Sequence, residues 1–238
     1  LKFQNNNKVF TYNNVTKDTY LTLITIDQTE ESLGSWISKN ITSKPNQDKY
    51  PFNPILGSIL RSPESQKIRI GYFSADFHNH ATGYLMAELF ELHDKSQFEI
   101  LAFDNGWDDK SLRRKRIEKA FNEFIDISRL SDDEAASLIA DKKIDILVNL
   151  NGFFGKPRQG IFAKKPSPIQ VNYLGFPGTI GSTYMDYLIA DKVVIPEESR
   201  QYYIEKIVHL PHCYQANDSK RQIDSRSYAK KEFGLPEE

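Results

Sequence analysis

The sequence predicts an α/β fold over residues 67–238, with a Rossmann-like parallel sheet flanked by helices. Two observations indicate this fold. Short apolar runs of strand length alternate with longer amphipathic segments, which is typical of repeated βαβ units. Runs such as "ILV" (146–148) and "YLIA" (187–190) are also apolar without interruption, unlike the alternating pattern of a half-exposed strand. Both faces of the sheet are therefore expected to be covered by helices.

The predicted strands are rich in aliphatic and aromatic residues and end in polar or glycine-containing turns. In chain order they are "KIRIGYFS" (67–74), "FEILAF" (98–103), "EFIDIS" (123–128), "IDILVNL" (144–150), "PIQVNYL" (168–174), "YLIAD" (187–191) and "EKIVHL" (205–210).

The predicted helices lie between these strands, and a further helix follows the last of them. Leu85, Met86 and Leu89 form a helical apolar stripe in the first, and Ser131 with Glu134 fits a capping box at the start of the third. We interpret the basic run "LRRKR" (112–116) as a solvated helix face. The segments are "TGYLMAELFELHD" (82–94), "KSLRRKRIEKAFN" (110–122), "SDDEAASLIADKK" (131–143) and "SRSYAKKEFGLPEE" (225–238), the last ended by Gly234 and Pro236.

Residues 1–66 differ from the rest and are predicted to be a connector segment. They are rich in Asn, Thr, Ser and Lys. A strand is predicted at 19–26 and a helix capped by Thr29 at 29–41, followed by an extended stretch with four prolines between 43 and 67.

The bulk composition excludes several classes of protein. The 238 residues carry 31 basic and 32 acidic side chains, a net charge of −1, whereas a dedicated nucleic-acid-binding domain is usually basic. No apolar run approaches the about 20 residues of a membrane span. The single cysteine, Cys213, excludes an intrachain disulfide and a cysteine-based zinc site, and it indicates a reducing, cytoplasmic setting.

Four loops are candidate binding segments because ligands of open parallel sheets bind outside the carboxyl ends of the strands. They are residues 74–80, 104–109, 150–158 and 174–182. The first contains two of the five histidines, in "SADFHNHATGYLM". A metal site there lacks further ligands, because His78 and His80 alternate on an extended segment and no nearby Cys or Glu completes a set.

His80 has two interpretations. It precedes a predicted helix, whose partial positive charge disfavours imidazolium, so a neutral ring could accept a proton or a hydrogen bond from a substrate. Alternatively, Asn79 or His80 merely caps that helix.

The third and fourth loops also have two interpretations. The amides of Asn149 and Asn151, followed by Gly152, could orient hydroxyl groups, or they could form a turn. Arg158 could contact an anion or be solvated. The glycines of "LGFPGTIGS" (174–182) could let backbone N–H groups approach a phosphate, or they could serve a structural turn.

These motifs together resemble the amino-terminal catalytic lobe of the O-linked N-acetylglucosamine transferases. The resemblance is to the bacterial, tetratricopeptide-associated members and to the plant SPINDLY type. It covers about residues 67–238 and is carried by "IRIGYFSADFHNHATGYLMAELFELHD", "VNLNG", "PSPIQVNYLGFPGTIG", "MDYLIAD" and "EKIVHLPHCY".

The resemblance implies the site residues one by one. The family motif "DF-x-NH" falls on Asp76, Asn79 and His80, with His80 as the catalytic residue and His78 at the variable position. A second family histidine, four residues later in animal members, is replaced here by Tyr84. The remaining implied substrate-binding residues lie in the third and fourth loops and are Asn151, Gly152, Pro177, Gly178, Thr179 and Gly181.

The resemblance also implies a fold and an activity. The fold is the amino-terminal lobe of a two-lobed GT-B glycosyltransferase, with the donor-binding carboxyl-terminal lobe and the upstream tetratricopeptide repeats expected outside this chain. The activity is inverting, metal-independent transfer of a sugar to Ser or Thr of a protein or peptide acceptor. The expected co-substrate is a nucleotide sugar, UDP-GlcNAc, although SPINDLY-type members transfer fucose, and no cofactor is implied. A non-catalytic module that binds an acceptor or a partner is the alternative, and a nucleotide-binding regulator is a third class.

Overall fold

The computed structural model describes residues 2–5, 8–11, 67–222 and 226–236. The strands are β1 (Lys2–Asn5), β2 (Lys8–Thr11), β3 (Ile68–Ser74), β4 (Phe98–Asp104), β5 (Glu123–Asp126), β6 (Ile146–Asn149), β7 (Ile169–Tyr173), β8 (Tyr187–Asp191) and β9 (Lys206–Leu210). The α-helices are α1 (Ala81–Glu91), α2 (Leu112–Ala120), α3 (Asp132–Asp141) and α4 (Gln159–Ala163). Two 3₁₀ helices span Glu197–Tyr202 and Lys230–Phe233.

Seven strands form one parallel sheet in the order β5-β4-β3-β6-β7-β8-β9. Every neighbouring pair in this sheet is parallel. The chain builds outward from β3 to β5, then crosses to β6 and builds outward in the other direction. This doubly wound order confirms the predicted Rossmann-like fold, and it places a topological switch point between β3 and β6.

Helices cover both faces of the sheet. One core cluster joins the sheet to α1 and α2 through Met86, Phe90 and Ile117. A second core cluster joins the opposite face to α3 and α4 through Ile139 and Phe162. Because both faces are covered, β6 and β8 are buried at every position, which explains their continuous apolar runs in the sequence.

The predicted strands and the first three predicted helices are present. The capping box also forms, with Ser131 accepting a hydrogen bond from the Glu134 backbone and the Glu134 side chain accepting one from the Ser131 backbone. The helix expected near the carboxyl end is a 3₁₀ turn, Lys230–Phe233, which ends at Gly234 in the left-handed region with φ of 65°.

Helix α2 does not present the solvated basic face that its sequence predicts. Arg114 is 5% exposed and pairs with the buried Asp104 at 2.7 Å. Arg116 bridges Glu91 of α1 and Asp218 beyond β9. Arg114 also pairs with Glu118 of the same helix. The prediction was nevertheless wrong because Asp104, Glu91 and Asp218 come from other elements, for which helical periodicity carries no signal.

The connector predictions lie mostly outside the described residues. Strands β1 and β2 pair antiparallel, whereas the strand predicted at 19–26 and the helix predicted at 29–41 fall outside the described ranges. Among the helices that the structure describes, none has the length and apolar character that crossing a membrane requires.

Candidate functional site at the carboxyl edge of the sheet

The loops that follow β3 and β6 meet at the switch point and are joined by Asn151. Its side-chain oxygen accepts a hydrogen bond from the backbone N–H of Ala75 at 2.8 Å. Its amide nitrogen donates to Asp76 Oδ2 at 2.6 Å. Asn151 is 1% exposed, so one buried amide fixes both the course of the first loop and the position of its carboxylate.

The loop after β6 is itself ordered by Asn149. Its side-chain oxygen accepts from the backbone N–H groups of Asn151 and Gly152, at 3.0 and 3.1 Å. Gly152 has φ of 57°, and a Cβ there would lie 2.5 Å from Cβ of Phe176. The glycine is therefore required both by the backbone conformation and by close packing against the loop after β7.

His80 is the N-cap residue of α1. Its Nδ1 accepts a hydrogen bond from the backbone N–H of Thr82 at 3.3 Å. The same nitrogen lies 3.8 Å from Asp76 Oδ1, and the side chain of His80 is 47% exposed. The capping interpretation is thus confirmed. It does not exclude a chemical role, because the rest of the imidazole remains open to solvent.

The start of α1 packs tightly against the preceding loop. A Cβ at Gly83 would lie 2.2 Å from the carbonyl oxygen of His78, and that oxygen also accepts the backbone N–H of His80 at 2.7 Å. Any side chain at Gly83 would therefore displace the backbone that carries His80.

His78 is buried, in contrast to His80. It is 4% exposed, and within the described part of the chain its Nδ1 has no hydrogen-bond partner. Its ring packs against Trp107 with 4.1 Å between centroids, and the Trp107 side chain is an exposed one. Burial lowers the pKa of His78, against the opposing effect of Asp76 and Asp109.

The loop after β4 is the second wall of this crevice. Asp109 Oδ2 accepts the backbone N–H of Asn79 at 3.0 Å, and this hydrogen bond lowers the pKa of Asp109 to about 2. Asn105 donates to the Lys156 carbonyl at 3.2 Å. Loops after β3, β4 and β6 are therefore tied to one another.

Within the described ranges, the predicted site residues in the loop after β7 bond to one another and to residues near β9, not to the loops after β3 and β6. The hydroxyl of Thr179 donates to Glu205 at 2.7 Å, and Gly181 donates its N–H back to that hydroxyl. The Pro177 carbonyl accepts from Tyr203. A Cβ at Gly178 would lie 2.7 Å from the Phe176 ring. These contacts fix the loop shape and bring Phe176 onto Gly152, but none joins Thr179 to His80.

Arg158 is held by protein groups rather than simply solvated. It pairs with Asp132 at 2.8 Å and donates to the carbonyls of Ile127 and Leu130 and to the side chain of Asn105. This arginine links the loop after β6 to the segment before α3. Across the ranges that the structure describes, no group of three or more His, Cys, Asp or Glu residues is placed to hold a metal ion.

Trp107 and Asp109 lie in the predicted binding loop 104–109 and Phe176 in the loop 174–182, but none of the three was singled out as a site residue. The signal for the first two was available, because they follow β4 at the same edge of the sheet as Asp76. The contact of Phe176 with Gly152 joins residues 24 positions apart in the chain and has no local sequence signal.

Comparison with known proteins gives consistent matches. Residues 49–229 match the family model described as Glycosyl transferase family 41. The chain is 43% identical over 185 residues to the probable UDP-N-acetylglucosamine–peptide N-acetylglucosaminyltransferase SEC of Arabidopsis thaliana, covering 76% of this chain and 19% of that protein. It is 37% identical over 159 residues to the UDP-N-acetylglucosamine–peptide N-acetylglucosaminyltransferase of Caenorhabditis elegans, covering 66% of this chain and 14% of that protein.

A solved structure agrees with these matches. A mutant of the Thermobaculum terrenum O-GlcNAc transferase superimposes with a TM-score of 0.65 at 25% sequence identity, over 84% of this chain and 38% of that chain. The chain thus spans about a fifth or less of the curated relatives above. The family match covers well over half of the sequence, and the chain therefore belongs to glycosyl transferase family 41.

Proposed function

We propose that this chain is the acceptor-side, amino-terminal lobe of an inverting, metal-independent glycosyltransferase that moves N-acetylglucosamine from UDP-GlcNAc to Ser or Thr of proteins. The observation that carries the proposal is the cluster at the switch point, where Asn151 holds Asp76 and Asp76 lies 3.8 Å from the exposed imidazole of His80. The relatives named above as peptide N-acetylglucosaminyltransferases support the substrate class.

The reaction needs few groups from this lobe. The acceptor hydroxyl attacks the anomeric carbon, a new C–O bond forms, and the bond to the diphosphate breaks with its electron pair leaving on UDP. The hydroxyl proton must go to a base or to solvent. His80 is the proposed catalytic residue because its side chain is exposed at the crevice. The hydrogen bond that caps the helix also fixes the orientation of its ring.

The tautomer of His80 decides which role it has. When Nδ1 accepts from Thr82, the neutral ring carries its proton on Nε2 and can only donate toward a substrate oxygen. When Nδ1–H instead turns toward Asp76, Nε2 is free to accept the hydroxyl proton. Asp76→Asn separates these roles: a base role predicts a large loss of kcat, and an orienting role predicts a small one.

The other proposed substrate-binding residues lie at the same edge of the sheet as His80. We propose that Asn79, Gly152, Pro177, Gly178, Thr179 and Gly181 shape the substrate side of the crevice, the last four by holding the loop after β7. We place the UDP moiety on a carboxyl-terminal lobe, with tetratricopeptide repeats upstream, and residues 67–238 form the present lobe. The single cysteine supports a cytoplasmic setting.

The experiment uses the full-length protein with Ser- and Thr-containing peptides, UDP-GlcNAc and excess EDTA, and detects the glycopeptide by mass spectrometry. We expect transfer that EDTA does not reduce, and a β-linked product by NMR. GDP-fucose serves as the matched donor control. If neither donor yields a product while labelled peptides still bind, the chain is a non-catalytic acceptor-binding module of the same fold, which is the second candidate.

A further inference from the structure

The most exposed aromatic ring beside His80 belongs to Trp107. Its side chain is 55% exposed, although tryptophan is on average highly buried in folded proteins. The ring lies in the loop after β4, and one of its neighbours is the imidazole of His78, 4.1 Å away between centroids. The His80 ring is 5.9 Å from His78, so the indole stands close to the proposed catalytic residue.

This indole is restrained by the backbone of its loop and by two neighbouring side chains, His78 and Lys156. The backbone of its loop is held by Gly106 N–H, which donates to Asp104 at 2.9 Å, and Asp104 pairs with the buried Arg114. The Lys156 ammonium, from the loop after β6, lies 5.7 Å from the centre of the Trp107 ring. A rigid ring costs little conformational entropy when a ligand stacks on it.

His78 supports the indole rather than binding a ligand itself. Its Nδ1 is buried and, among the described residues, unpartnered, so the ring contributes mainly through its faces. The two rings are tilted by 41° with 4.1 Å between their centroids, so the imidazole backs one side of the indole. Because Trp107 is 55% exposed, the rest of the indole remains available to a ligand.

The surroundings favour an apolar peptide side chain as the occupant. Phe153 and Phe154 are 45% and 64% exposed in the same short loop as Lys156, and both pack against Phe176. Three large exposed aromatic rings on two tied loops extend beyond the size of a single sugar ring and suit an extended peptide. Phe153 and Phe154 directly follow Asn151 and Gly152 in the chain, and Trp107 adjoins His80 through His78, so both parts of the aromatic surface border the proposed site.

We propose that Trp107, supported by His78, is a specificity-determining residue that stacks on an apolar side chain flanking the acceptor hydroxyl. This inference rests on the proposed function, since it names the part of the acceptor that the same site selects. It predicts that acceptors are discriminated by an apolar neighbour as well as by the hydroxyl.

The test pairs protein variants with peptide variants in the full-length protein. Each position flanking the acceptor Ser is changed in turn from Ala to Phe, and KM and kcat are measured for each peptide. At one position the change is expected to lower the peptide KM by about tenfold, the scale of one aromatic contact with its buried area. This preference should vanish in Trp107→Ala and survive in Trp107→Phe.

Two matched variants separate stacking from general damage. Tyr202→Ala removes an exposed aromatic ring from the 3₁₀ helix Glu197–Tyr202 and should leave the preference intact. His78→Ala should weaken it, whereas His78→Phe, which keeps a flat support and removes the buried nitrogen, should retain it. A merely structural role for Trp107 would change KM equally for Ala- and Phe-containing peptides.

Several results would overturn the proposal. One is the absence of any preference for an apolar neighbour, and another is the survival of that preference in Trp107→Ala. A third is that Trp107→Ala raises only the donor KM. A fourth is that Trp107→Ala lowers only thermal stability, which would mean that the indole packs against another part of the protein. If no transfer occurs, the proposed function fails by itself. Fluorescence anisotropy of the same labelled peptides then tests the inference, with equal affinities for Ala- and Phe-containing peptides as the contradicting result.

Discussion

Replacing Asn151 tests the structural basis of the candidate site most sharply. In Asn151→Ala, the buried backbone N–H of Ala75 loses its acceptor and Asp76 loses a donor at 2.6 Å. An unsatisfied buried N–H costs about 1–3 kcal/mol and a hydrogen bond to a charged group contributes about 1.5–3 kcal/mol. We therefore expect a loss of about 3–5 kcal/mol in the free energy of unfolding, measured by urea denaturation.

Asn151→Asp is the more diagnostic variant because it keeps the acceptor for Ala75 N–H. It places a second carboxylate where Nδ2 now lies, 2.6 Å from Asp76 Oδ2. The folded pair then retains a proton that the unfolded chain releases above pH 4, so stability falls as the pH rises. We expect near wild-type stability at pH 4 and a deficit of about 3 kcal/mol at pH 8, for a pKa raised by about two units.

The control for both variants is Asn79→Ala. Asn79 lies in the same loop and is exposed, and its backbone rather than its side chain bonds to Asp109. Its substitution should change stability by no more than about 0.5 kcal/mol. A loss below about 1 kcal/mol in Asn151→Ala, together with no added pH dependence in Asn151→Asp, would refute the reasoning.

Three further predictions concern stability. Burial lowers the pKa of His93 from 6.5 to about 3. Because the native state then binds fewer protons than the unfolded state, stability falls as the pH drops from 6.5 toward 3. His93→Gln should reduce this dependence of stability on pH in acid titrations of unfolding. Gly83→Ala should cost about 2 kcal/mol or more in thermal unfolding, because its Cβ would lie 2.2 Å from the carbonyl oxygen of His78. Lys165→Met removes the buried partner of the Asp186 carboxylate, whose side chain is only 9% exposed. It should cost about 3–5 kcal/mol by urea denaturation, most of it recovered by adding Asp186→Leu.

The sheet and its flanking helices were predictable because each strand is a local apolar run and each helix has its own periodicity or cap. The four candidate binding loops were predictable because the carboxyl ends of parallel strands lie at one edge of the sheet. The hydrogen bond between Asp76 and Asn151 was not predictable, since it joins side chains 75 positions apart. Helix α4 was missed because it has five residues and no side-chain cap.

The two histidines of "SADFHNHATGYLM" (74–86) show how local pattern and tertiary structure combine. Alternation along an extended segment predicted that His78 and His80 point apart, and one is buried while the other is exposed. The sequence did not indicate that Trp107 covers His78, because that contact depends on a neighbouring strand. For the same reason, no local pattern indicated that Thr179 would bond to Glu205.

The kcat of sugar transfer in His80→Ala, relative to the wild-type full-length protein, tests the central claim most directly. His212→Ala, an exposed histidine beyond β9, is the matched control. We predict a loss of about 10²–10⁴-fold in kcat for His80→Ala, the contribution of a positioned acid–base group, and little change in the control. Transfer at the wild-type rate in a folded His80→Ala variant would contradict the assignment of the catalytic site to this edge of the sheet.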